Sequence, residues 1–162
     1  MKSLTLLRHA EAVAMGDTTD DSQRALTARG QAQARALGEY LRADGWVPQR
    51  IFCSSALRAQ QTAHGVGVAA GWKTSVSLRP QLYNADPVSM MDLLRDDGGH
   101  VERLLVVAHA PGIAELASAL ATRHGDLSMV CEPATLIEVV LDISSWADIT
   151  PGRASLRRVL PS

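Results

Sequence analysis

Short apolar runs alternating with longer helical patterns predict an α/β fold, a three-layer α/β/α sandwich around a mostly parallel central sheet. Three observations carry this prediction. The run Arg103–Ala108 is apolar almost throughout, as a strand covered on both faces must be. The stretches between such runs repeat Ala and Leu at helical spacing and stop at glycines. A chain of 162 residues, 46% of them hydrophobic, can bury the core of one domain, and no repeat, linker or low-complexity tract divides it. A single domain over 1–162 is therefore expected.

Ser3–Leu7 is predicted as a first, central strand, followed by a polar loop over Ala10–Ala25 that holds Gly16, Asp17, Asp20 and Asp21. Thr27 is the expected N-cap of a first helix, in which Ala34, Leu37 and Leu41 share a face until Gly45 ends it. Arg50–Cys53 reads as a second strand. Ser54 or Ser55 is expected to cap the helix that follows, which runs to Ala70 before Gly71. Thr74–Leu78 is a third strand, Arg79–Pro87 a loop, and Val88–Arg95 a helix. After Arg103–Ala108, Pro111 suits the first turn of a helix that should run to His124. Ala134–Leu141 and Ala154–Leu160 are late strands separated by a turn at Pro151-Gly152.

Composition excludes several function classes. A net charge of −1, with 14 Arg and 2 Lys scattered along the chain, leaves no basic tract for nucleic acid or an anionic membrane. The apolar run at 3–7 is too short for a signal-peptide core, and no window reaches transmembrane length, so a cytoplasmic protein is expected. Cys53 and Cys131 lie far apart without metal-ligand spacing, and Cys53 ends an apolar run, which suits a buried, reduced thiol. No cofactor or metal is expected. No long apolar patch demands a dimer, so a monomer is expected.

An Arg-His-small triplet occurs twice, at Arg8-His9-Ala10 and at Arg123-His124-Gly125. The second copy closes a helical pattern, where cations favour the negative end of the dipole and glycine is the usual residue beyond the last turn. The first follows a strand, and in a parallel α/β sheet ligands bind beyond the carboxyl ends of the strands. Further segments should end at that same edge. Arg58 falls in the first turn of the helix after the second strand, His109-Ala110 precedes the helix after the strand at 103–108, and a loop with Asn84 and Asp86 follows the third strand. Two arginines, two histidines and two helix N-termini converging on one point would make an anion site suited to phosphate.

The motifs Leu-Leu-Arg-His-Ala-Glu at 6–11, Arg-Ala-Leu-Thr-Ala-Arg-Gly at 24–30, Ser-Ser-Ala-Leu-Arg-Ala-Gln-Gln-Thr-Ala at 54–63 and Val-Val-Ala-His-Ala-Pro at 106–111 carry a resemblance. In order and interval the chain resembles the histidine phosphatase (phosphoglycerate mutase-like) superfamily, and within it the short SixA-type phosphohistidine phosphatases. The resemblance implies that His9 is a nucleophile that becomes phosphorylated. It implies that Arg8 and Arg58 grip the phosphoryl oxygens and that His109 completes the catalytic pocket. Ala110 and Arg24 also match substrate-binding positions, although a surface ion pair between Arg24 and the acidic loop is an equal reading. The implied partner is a phosphorylated protein, such as a histidine-phosphotransfer domain of a signalling relay, or else a small phosphorylated molecule.

Two departures from the family pattern bear on function. Ala10 stands where a glycine is usual, and a β-carbon there narrows the permitted backbone. Asn84 stands where superfamily enzymes acting on alkyl phosphates carry a carboxylic acid that protonates the departing oxygen. Such an acid contributes roughly 10²–10⁴ in rate, and Asn cannot supply the proton. A phosphorylated imidazole, whose leaving nitrogen is readily protonated by solvent, suffers least. Asp86 is the candidate replacement acid, its other reading being the N-cap of the next helix. The expected function is a metal-independent phosphohistidine phosphatase. A small-molecule phosphomonoesterase on the same site and a non-catalytic phosphate-binding module are the alternatives.

Overall fold

The computed structural model describes residues 1–16, 20–121, 127 and 131–162. Its strands and α-helices are β1 (Lys2–Arg8), α1 (Ala28–Asp44), β2 (Arg50–Cys53), α2 (Leu57–Ala70), β3 (Val76–Leu78), α3 (Pro87–Asp97), β4 (Arg103–Ala108), α4 (Gly112–Leu120), β5 (Leu136–Leu141) and β6 (Ala154–Leu160). The strands form one sheet in the order β3-β2-β4-β1-β5-β6. The pairs β3/β2, β2/β4 and β4/β1 are parallel, whereas β1/β5 and β5/β6 are antiparallel. The expected mostly parallel α/β/α sandwich is what forms.

Strand periodicity divides the core into two layers. Leu4, Leu6, Leu104 and Val106 face one side, where Met90 and Leu94 of α3 and Ile113 and Leu116 of α4 cover them. Leu7, Ile51, Leu105 and Val107 face the other, against Ala34 and Leu37 of α1 and Ala59 and Ala63 of α2. The tryptophans belong to this packing: Trp146 and Trp46 are buried, and Trp72 meets Trp46 edge-on.

Local signals explain most element ends. The Thr27 hydroxyl accepts from the Gly30 amide, and Gly45 ends α1 in the left-handed region at φ 73°. Asp86 caps α3 by accepting from the Ser89 amide. Several expectations need correction, among them the fifth strand, which begins at Leu136 rather than Ala134. The N-cap of α2 is Ala56 with no side-chain cap, so neither Ser54 nor Ser55 caps that helix. The third strand begins at Val76 rather than Thr74. The fourth helix ends at Leu120 because Ala121 turns extended and bridges to Ala154. Arg123, His124 and Gly125, read from sequence as a helix ending, lie outside the described residues.

Candidate active site

Register places the site. Arg8 pairs with Ala108 and Cys53 with Val107, so the adjacent strands β2, β4 and β1 end level with one another. The ladder runs one residue further, since the His9 amide donates to Ala108 O and the Ser54 amide to Val107 O. The first residues beyond the three strands, His9, Ser54 and His109, therefore emerge side by side at the carboxyl edge. Neither α2 nor α4, which start there, carries a side-chain cap.

His9, Arg58 and His109 are only 8%, 3% and 4% exposed. The two imidazoles lie with ring centroids 5.3 Å apart, and Arg58 links them. Its Nε donates to His9 Nε2 at 3.3 Å, and its Nη2 to His109 Nδ1 at 3.3 Å. These partners fix both tautomers, because a carbonyl only accepts and a guanidinium only donates. His9 Nδ1 donates to Ala10 O at 2.8 Å, so its proton sits on Nδ1 and Nε2 carries a lone pair. His109 accepts at Nδ1, so Nε2 holds the proton and donates to Ser54 Oγ at 2.7 Å. Burial, reinforced by Arg58 and Arg8, lowers the His9 pKa to about 4. Burial beside Arg58 lowers that of His109 to about 3. Both rings are neutral at pH 7.

Arg8 donates through Nη1 to Cys131 O at 2.8 Å, and its Nε is buried with no hydrogen-bond partner among the described residues. Ala10 is fully buried beside Leu26 and Ala134, and its amide donates to Thr62 Oγ1 at 2.9 Å. Its φ does not lie in the left-handed region, so the backbone here does not require the usual glycine. Thr62 in turn donates to Arg58 O, tying the loop after β1 to the first turn of α2. Gly30 permits the same loop to lie on α1, since a β-carbon there would fall 2.0 Å from Glu11 O.

Beside His109 opens a cavity of about 240 Å³, lined by Asn84, Asp86, Ala110, Pro111 and Glu115 among others. Gly112 brings its two walls together, because a β-carbon on it would meet Ala85 O at 2.1 Å. Asp86, the sequence candidate for a general acid, lines this cavity with its carboxylate engaged as the α3 cap. The Ser89 amide bond to that carboxylate holds its pKa below the ordinary value, so it is ionised and has no proton to give. Asn84 is exposed and has φ 50°. Arg24 takes the ion-pair reading, with Nε 2.8 Å from Asp21 Oδ1 and Nη1 bonded to Val13 O.

Three contributors were not assigned to the site from sequence. Ser54 reads there as a cap, Asp21 as one of several loop carboxylates, and Tyr83 as a loop residue. In the structure Ser54 holds His109, Asp21 pairs with Arg58, and Tyr83 packs edge-on against His109 with centroids 5.4 Å apart. Among the described residues, no three His, Cys, Asp or Glu side chains gather to hold a metal ion, and no helix is long and apolar enough to cross a membrane. Cys53 and Cys131 are free and buried.

The sequence matches the profile of the histidine phosphatase superfamily (branch 1) over residues 4–97. An uncharacterized protein of Mycobacterium tuberculosis is 34% identical over 156 residues, 93% of this chain and 96% of its own length. The phosphohistidine phosphatase SixA of Escherichia coli is 27% identical over 143 residues, 86% of this chain and 85% of that one. A solved structure from Nakamurella multipartitia, assigned as a phosphohistidine phosphatase SixA, superposes with a TM-score of 0.83 at 26% identity, covering 99% of this chain and 96% of that one. Profile and relatives agree with the edge-of-sheet geometry: the chain belongs to the histidine phosphatase superfamily (branch 1) and is SixA-like along its length.

Proposed function

We propose that this phosphatase hydrolyses phosphohistidine on a protein through a covalent phospho-His9 intermediate. The observation that carries the reading is the state of His9, a neutral imidazole whose Nε2 lone pair is free of its own proton and flanked by Arg58. In the first step His9 Nε2 attacks phosphorus. The bond between phosphorus and the substrate nitrogen breaks, and that nitrogen takes a proton from solvent. Arg58 and Arg8 hold the non-bridging oxygens, and a phosphoryl oxygen gives the unpartnered Arg8 Nε an acceptor. Phosphorylation leaves His9 cationic, and its Nδ1–H bond to Ala10 O stabilises that charge. In the second step water attacks the phosphohistidine, releasing phosphate and restoring neutral His9. Fixed guanidinium groups and in-line positioning supply the catalysis that phosphoryl transfer chiefly needs.

The leaving-group side supports the choice of substrate. Asn84 and an ionised Asp86 offer no acid for an alkoxide, whereas an imidazole leaves without one. SixA relatives of this length support a phosphorylated protein such as a histidine-phosphotransfer domain as partner. Two free, buried thiols support a reducing compartment such as the cytoplasm. The test compares kcat/KM for a phosphohistidine protein with that for a panel of sugar phosphates, and follows acid-labile phosphate on His9. The expected result is a preference of about 10²-fold or more for phosphohistidine. A clear preference for a sugar phosphate overturns this reading in favour of a small-molecule phosphomonoesterase.

A further inference from the structure

Arg58 has five N–H groups and uses them on two adjacent edges that share Nη2. On the inner edge, Nε and one Nη2 hydrogen point at His9 and His109 through long bonds of 3.3 Å each. On the outer edge, Nη1 donates to Asp21 O at 2.8 Å and Nη2 to Asp21 Oδ2 at 3.1 Å. Asp21 sits in the short 3-10 turn Asp21–Gln23, whose cap Asp20 accepts from the Ser22 amide. Both of its oxygens are engaged: Oδ1 takes Arg24 Nε, while Oδ2 takes Arg58 Nη2 and the Tyr83 hydroxyl.

We propose that Asp21 is a positioning residue, clamping the outer edge of Arg58 so that its inner edge faces the phosphoryl group on His9. The proposal rests on the reading of His9 as nucleophile and adds a requirement to it. The weak inner bonds to the histidines are those a phosphoryl oxygen replaces, and the outer bonds keep the fork in its plane while that happens. Bonds from Tyr83 and Arg24 hold the Asp21 carboxyl down to about 2, so the clamp is charged throughout the working pH range. Tyr83 completes it, donating to Asp21 while its ring lies against His109 and under the Arg58 guanidinium, 5.8 Å from ring centre.

Positioning makes a prediction opposite to competition. An anchor acts on the transition state, so its loss lowers kcat. A carboxylate that merely occupies the phosphate site would, once removed, raise kcat/KM. The test measures kcat, KM and inhibition by inorganic phosphate for wild type, Asp21→Asn, Tyr83→Phe and the double variant, on whichever phosphodonor the wild type turns over fastest. Asp21→Asn is expected to lower kcat about 10–100-fold with KM within about threefold, and phosphate inhibition is expected to hold or tighten because a neighbouring negative charge is gone. Tyr83→Phe is expected to lower kcat about threefold alone and to have no further effect once Asp21 is Asn, because the hydroxyl acts through that carboxylate. An unchanged kcat, a rise in kcat/KM, a loss confined to KM, or additive losses in the double variant would each overturn the clamp. Failure of wild type to form phospho-His9 on any donor would instead overturn the reading beneath it. Because the Asp21 side chain is 32% exposed, the variants should fold, and Tyr83→Phe tests the clamp through its support on Asp21 if Asp21→Asn does not fold.

Discussion

On one side of the pocket His9, Arg58 and His109 are almost wholly buried, their tautomers and planes fixed by Ala10 O, Ser54 Oγ and Asp21. On the other side Asn84, Asp86 and Glu115 stand exposed on a loop and a helix start, and the one carboxylate with a defined bond is capping α3. The half proposed to grip the phosphoryl group is thus built and preorganised, while the leaving-group half lacks, among the described residues, a proton donor with a fixed place. Asp21 and Asp86 are both held ionised by donors aimed at them, which leaves neither with a proton to give. Under the proposed mechanism this difference assigns catalytic power to charge and positioning, and favours leaving groups that depart unaided.

Substitutions on the two sides should therefore behave differently. His9→Ala removes the proposed nucleophile and is expected to lower turnover by at least about 10³-fold, with no acid-labile phosphate on the chain, as read by phosphate release and denaturing electrophoresis. Asn84→Glu attempts to build the missing half. It should raise kcat/KM for an alkyl phosphate about tenfold and leave phosphohistidine nearly unchanged. The positive φ at Asn84 makes this substitution cost some stability. A gain on phosphohistidine alone would show that the two sides are not separable in this way.

Smaller effects sharpen the same contrast. With the His9 pKa lowered to about 4, kcat/KM should stay flat from neutral pH down to about pH 5 and fall to half near pH 4, as the ring protonates and loses its lone pair. Stability runs ahead of activity. Both buried histidines are held neutral, so an unfolded chain binds protons that the folded one refuses, and stability should decline as pH drops below about 6.5. Circular dichroism at each pH separates the two. Asp86→Ala should change turnover less than twofold while lowering Tm by about 2–4 °C through loss of the cap.

The element order was legible because strand runs such as Arg103–Ala108 and stops such as Gly45 and Gly71 are local signals. His9, Arg58 and His109 were legible as a group because each follows a strand end, and parallel strands bring their ends to one edge. What sequence did not reveal depends on contacts through space. Ser54 looks like a helix cap until β4 places His109 against it, 55 residues on. Asp21 is one of several acidic loop residues until Arg58 and Tyr83, 37 and 62 residues away, meet it. The acidic loop and the Tyr83 loop were both visible, but nothing local ties one to the other.

The central claim is the asymmetry between the two halves, and the dependence of kcat/KM on leaving-group pKa tests it most directly. A series of phosphate monoesters spanning phenols to alkyl alcohols, with phosphohistidine as reference, reports the proposed step that phosphorylates His9. The account predicts a steep fall in rate as the leaving group becomes more basic, because among the described residues none is placed to protonate it. A flat profile would reveal a working general acid and contradict the account.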